Sequence, residues 1–167
     1  MRTPYFISMD DVKDLPVEEA FKVVIDGIYP SLFNRLTDIA SCVSKFEAGE
    51  EFSTLTGMVQ RMNTELEGMY QKEKLVLFPY ILKLKKENKI SDSCKPFNNI
   101  KAHYKSLMHT LEGAKKFCHE FVEKGDDCDL TEKINSFEKL LVPFQHMKDK
   151  SLYLKYKNCG KCCGGKE

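Results

Sequence analysis

The chain has 167 residues, of which 42% are hydrophobic and 31% charged, enough apolar material to bury one core while the surface stays wet. Twenty-six Lys and Arg against twenty-five Asp and Glu leave a net charge of +1, which excludes a broad electrostatic footprint for nucleic acid or a membrane surface. The N-terminus MRTPYFISMDDVKDL lacks the long apolar stretch of a signal peptide and no run approaches the ~20 apolar residues of a membrane span, so a cytoplasmic protein is expected.

Four segments carry helical periodicity, and none shows the alternating Val, Ile and Thr pattern of paired strands, so the reading is all-α. The first helix is expected after Asp14, with Pro16, Glu18 and Glu19 favourable in its first turn, and runs to about Lys45 before Ala48-Gly49. The second begins near Ser53 or Thr54 and repeats Leu55, Val59, Met62, Leu66, Met69, Leu77 and Ile81 until about Asn88. The third opens at Pro96, repeats Ile100, Leu107, Leu111, Ala114, Cys118 and Phe121, and breaks at Gly125-Asp126-Asp127. In the fourth, Asp129 and Glu132 have capping-box spacing ahead of Ile134, Phe137, Leu141, Phe144 and Leu152. Short connections between long helices force antiparallel neighbours, hence an up-down-up-down bundle. Pro30, Pro79 and Pro143 fall inside helical patterns and predict kinks or helix ends.

Chemistry is expected where polar residues interrupt the apolar rows. Glu73 follows Met62, Leu66 and Met69 on a core-facing row, His103 lies between Ile100 and Leu107, and Lys148 follows Phe137, Leu141 and Phe144. An unpaired carboxylate there would cost several kcal/mol. Three ionisable groups on three helices are therefore expected to converge. His109 and His119 read as surface residues.

Seven cysteines is an odd number, and Cys42, Cys94, Cys118 and Cys128 lack metal-finger spacing, so no disulfide framework is expected; Cys42 and Cys118 read as small buried apolar residues. Residues 158–167 form a separate cysteine-rich tail after a helical unit spanning residues 1–157. Its Cys159, Cys162 and Cys163 stand among glycines and near Lys157, Lys161 and Lys166, which favour thiolate and leave the backbone free to wrap a metal. The plain alternative is a basic tail whose thiols do nothing in particular.

The stretch KEKLVLFPYI resembles the KEE..LFP.I signature of hemerythrin-like proteins, most closely the bacterial di-iron iron-sulfur-cluster repair proteins. PFNNIKAHYKSLMHTL is similar to that family's third-helix segment, with His103 at the ligand position, and FEKLLVPFQHMKDKSLYL occupies the place of its fourth. The tail YLKYKNCGKCCGGKE looks like the family's CCGGK module, which in those proteins precedes the bundle. The resemblance implies a hemerythrin-like four-helix bundle and a pair of irons, yet it carries over only two of six ligands, Glu73 and His103. Met69 and Phe144 stand where histidines are expected, Asp26 replaces the first-helix histidine with Tyr29 one turn away, and Lys148 takes the place of a bridging carboxylate.

Two irons need several anionic and imidazole donors, and an ammonium repels them. The expectation is a cluster of Glu73, His103, Lys148 and Asp26 in the volume that relatives give to iron, with no cofactor assigned. A mononuclear metal site of Glu73, His103, His146 and Asp26, assisted by Asp149, is the alternative if Pro143 shifts the register. In the tail, Cys162 and Cys163 would be the thiolates and Cys159 a third ligand; a tail-bound metal needs about four donors. Two functions follow: a protein related to iron-sulfur cluster repair and stress response that works through its tail, or a non-catalytic bundle holding a protein partner or a small apolar ligand. No constellation nominates an enzyme reaction.

Overall fold

Helix formation starts earlier than the sequence pattern predicts. In the computed structural model, which describes residues 8–46, 49–122 and 129–157, Ser8 caps a short helix α1 (Met9–Lys13): its hydroxyl accepts from the Asp11 N–H while the Asp11 carboxylate accepts from the Ser8 N–H. This turn delivers Val12 to the core with no exposed surface.

Helix α2 (Val17–Val23) runs through a π turn, Val24–Ile28, into α3 (Tyr29–Val43). Helix α4 (Glu50–Lys72) repeats the arrangement, with a π turn at Glu73–Leu77 leading into α5 (Phe78–Glu87). A proline ring collides with the carbonyl four residues back; for Pro30 and Pro79 that carbonyl belongs to Asp26 and Leu75, each inside a π turn. Widening the turn there lets the helix continue without the missing N–H, so the two prolines produce π turns rather than helix ends. Asn88, with φ of 52°, closes α5 in the left-handed conformation. Helix α6 (Lys95–Phe121) is uninterrupted, and α7 (Leu130–Met147) runs through Pro143 before a third π turn at Lys148–Tyr153.

Two expected caps differ. Helix α4 begins at Glu50 behind Gly49, not at Ser53 or Thr54. The Asp129 side chain makes no capping hydrogen bond: the residue is left-handed, with φ of 52°, and the neighbouring Asp129 carboxyl holds the Glu132 carboxyl above the usual range.

Among the described residues there is no strand. Helix α4 packs on α6, α3 on both α4 and α7, and α6 on α7. The predicted apolar rows fill the shared core: Leu55, Met62, Leu66, Met69 and Ile81 from the second row, Leu107, Leu111 and Ala114 from the third, and Ile134, Phe137, Leu141 and Phe144 from the fourth are all wholly buried. Each such large side chain contributes on the order of 1.5–3 kcal/mol of transfer free energy. Stacked Phe46 and Phe52, with Phe117 set edge-on to Phe52, close one end; Phe97 against Tyr153 marks the other. No described helix is long and apolar enough to cross a membrane.

Candidate functional site

Burial of charge singles out the centre of the structure. Glu73 and Lys148 each have no exposed side-chain surface, and Lys148 Nζ donates to Glu73 Oε1 at 2.6 Å. Two phenols complete the group: Tyr29 donates to Glu73 Oε2 and Tyr153 to Glu73 Oε1. Lys148 Nζ also lies 3.3 Å from the Tyr29 hydroxyl and 4.2 Å from the centroid of the Phe144 ring, whose face carries the negative end of its quadrupole. One carboxylate thus accepts from an ammonium and two hydroxyls, the satisfaction that a buried charge requires.

The π turns position all four residues. Tyr29 follows the first, Glu73 opens the second, and Lys148 and Tyr153 bound the third. In an α-helix, residues five apart lie about 140° apart around the axis. The i→i+5 winding of a π turn brings the fifth residue back over the first, so Lys148 and Tyr153 reach the same carboxylate.

Electrostatics follow from the same geometry. Burial pushes the Tyr29 and Tyr153 phenols well above their ordinary range, and the Glu73 carboxylate adds to the shift. Burial lowers Lys148 from its ordinary value, and Glu73 opposes that shift.

Of the residues expected at this centre, Glu73 and Lys148 meet, whereas Asp26 and His103 do not join them. Asp26 is exposed, because the π turn presents Tyr29 rather than Asp26 to the interior. His103 lies at the α4–α6 seam, where Nδ1 pairs with Glu65 Oε2 at 2.6 Å; the other Glu65 oxygen accepts from Ser106 at 2.9 Å. Gly68 makes that position possible, since a Cβ there would stand 2.7 Å from the imidazole Cε1. Both partners keep about a fifth to a quarter of their side-chain surface exposed. His146 is exposed as well, and its neighbour Gln145 is the residue turned inward.

Tyr153, Glu65 and Gly68 were not anticipated. For Tyr153 no helical spacing could have indicated it. A glycine three residues after a glutamate, opposite a histidine, was a readable signal for the other two.

The residues do not fit a two-iron centre. The central volume offers one carboxylate, two protonated phenols and an ammonium that repels a cation, and among the described residues no group of three or more His, Cys, Asp or Glu converges on a point. The alternative set of Glu73, His103, His146 and Asp26 is likewise dispersed. The tail thiols Cys159, Cys162 and Cys163 lie outside the described residues.

The cysteine reading needs correction at two positions. Cys42 and Cys94 are disulfide-bonded, against the expectation of no disulfide framework. Cys118 is free and buried, and burial pushes its thiol up to about 11. No protein-family model, curated protein or solved structure matches the chain.

Proposed function

We propose that the chain is a hemerythrin-like up-down-up-down bundle, related to the iron-sulfur-cluster repair proteins, in which a salt-bridged cluster has taken the place of the metal centre. The bundle then serves as a non-catalytic scaffold, and metal or thiol chemistry belongs to the cysteine-rich tail. The observation that carries this reading is Lys148 at 2.6 Å from Glu73 with both side chains wholly buried. An ammonium held at that place by a carboxylate, two phenols and an aromatic face is a stable substitute for the charge that a metal would bring.

Among the described residues the four side chains donate and accept only among themselves, so they are poor candidates for general acid-base work on a bound molecule, which requires a proton within reach of substrate. A protein partner is favoured over a small apolar ligand. The centre is occupied by Lys148, Tyr29, Phe144 and Tyr153, while Leu75 and Val76, on the outer side of the Glu73 π turn, are 66% and 55% exposed side by side.

The test is elemental analysis of the full chain, produced with iron supplementation and purified anaerobically, beside the variant Cys162→Ser/Cys163→Ser. The expected result is metal well below two atoms per chain, any bound metal falling in the variant. Two irons per chain retained in the variant would overturn the proposal.

A further inference from the structure

We infer that the outer face of the Glu73 π turn and of α5 is a docking surface for an acidic helical segment of another protein, one that sets apolar side chains between glutamates or aspartates. The rod divides cleanly by burial. Glu73, Leu77, Phe78, Ile81 and Leu84 face the core, while Lys72, Leu75, Val76, Pro79, Lys83 and Lys86 are exposed. At 1.5 Å per residue this strip is roughly 20 Å long, the length of about four turns of a partner helix.

The aliphatic pair is particular to this turn. Each of the three π turns opens on a buried residue, but the third and fourth positions of the other two are Asp26-Gly27 and Lys150-Ser151, which suit water. The Glu73 turn places Leu75 and Val76 there, both more than half exposed. Single exposed aliphatics are ordinary, whereas adjacent ones inside a charged rim are what an interface presents.

Charge selects the occupant. From Gly68 to Asn88 the sequence holds five lysines and two glutamates. Glu73 is buried on Lys148, and Glu87 pairs with Lys89 at 3.2 Å. Of the lysines, Lys85 pairs with Glu18 and Lys74 lies against the Tyr70 ring. Among the described residues Lys72, Lys83 and Lys86 pair with no carboxylate, a local excess of positive charge on a chain whose net charge is +1.

A second copy of the chain fits poorly, because a two-fold contact through this face would set lysines against lysines. A lipid surface fits poorly as well: an interfacial helix inserts a broad apolar face, and here that face is spent on the core. An acidic segment neutralises the three lysines while its apolar side chains cover Leu75 and Val76, giving a dry anchor within a charged rim. Docking here presupposes the scaffold role proposed above, yet binding and metal content are separate measurements, and either can fail while the other stands.

Isotope-labelled full chain is titrated with a helix-forming peptide of about 20 residues, in which two leucines one turn apart are flanked by glutamates, and its amide spectrum is followed. Shifts are expected among residues 72–86, with an affinity that weakens with added salt and falls at least tenfold in Leu75→Ser/Val76→Ser and in Lys83→Glu/Lys86→Glu. All four side chains are exposed, so the variants should fold, and unchanged resonances elsewhere check that they do. The controls are the same peptide with serine for both leucines and vesicles of phosphatidylserine and phosphatidylcholine in equal parts. Absence of shifts among residues 72–86, or equal affinity for the serine peptide, which would reduce the face to a general attraction for polyanions, would overturn the inference. So would binding to the vesicles through these residues with none to the peptide.

Discussion

Two carboxylates on one continuous helical rod, Glu65 and Glu73, meet opposite fates. Glu65 pairs with His103 and Ser106 at a seam that water reaches, whereas Glu73 pairs with Lys148, Tyr29 and Tyr153 where water does not. Desolvation pushes Glu65 up, yet its hydrogen bonds from His103 and Ser106 and the nearby charges hold it below the usual range. At the seam each interaction is screened and replaceable by solvent. At the centre, every donor is needed, because what it leaves behind on removal is an uncompensated buried charge. The same residue chemistry is therefore adjustable in one place and obligatory in the other.

The sharpest way to break this contrast is Lys148→Met. With Glu73 retained, stability should fall by about 3–5 kcal/mol, read from urea unfolding with an unchanged m-value. Replacing both charges, Lys148→Met with Glu73→Leu, should recover most of that loss, since an apolar pair removes the stranded charge. A single-variant loss under about 0.5 kcal/mol would mean that solvent reaches the centre.

Tyr153→Phe comes next. It keeps the ring and deletes one hydroxyl that donates to Glu73; hydrogen bonds to charged groups contribute about 1.5–3 kcal/mol, and a loss in that range is expected. Ser106→Ala at the seam, by comparison, should cost under 1 kcal/mol, because water can take the place of the hydroxyl on Glu65.

How much of this was readable in the sequence divides at the π turns. Glu73 and Lys148 were legible because each continues an apolar row of α-helical phase up to the point where the turn begins. Beyond that point the phase changes. Asp26 is expected at the centre only from the family resemblance, as the replacement of a first-helix histidine, and the extra residue of the Val24–Ile28 turn gives that position to Tyr29. Tyr153 was out of phase for the same reason. His103 is expected to converge on Glu73 and does not: it stands at the margin of its row, at the α4–α6 seam, and pairs with Glu65 instead. The helices themselves were legible from periodicity and punctuation; the disulfides at Cys42 and Cys94 were not, because their spacing carries no local signal.

Alkaline titration separates the two regions again. Tyr29 and Tyr153 titrate in the folded state well above 10.0, their ordinary value. A group whose pKa is raised on folding adds stability that is complete below the unfolded value and is lost as pH rises past it. Stability should decline above about pH 10 by up to ~1.4 kcal/mol per pH unit for each phenol. Lys148, lowered by burial, acts in the opposite sense, but only up to the ordinary lysine value of 10.5, above which it is neutral in both states. The check is unfolding followed by tyrosinate absorbance: two of the seven tyrosines should ionise only as the fold is lost, and titration of all seven before unfolding would contradict the closed centre.

The smallest effect is expected where the seam can yield. Gly68→Ala brings a Cβ to 2.7 Å from the His103 ring, which must swing outward and release Glu65. Alanine in a helix interior gains about 1 kcal/mol over glycine, while the partly exposed His103–Glu65 pair contributes at most a similar amount, so net stability should change by less than about 1 kcal/mol. What changes is the acid response. Glu65 is held low by His103 and Ser106; a carboxylate lowered on folding adds stability that is present above its unfolded value, here 4.5, and lost as pH falls below it. With the pair released, that component of acid sensitivity should shrink, and the His103 Cε1 proton should shift in the NMR spectrum while the Tyr153 ring resonances stay in place. Movement of both together would show that seam and centre are one coupled network rather than two independent ones.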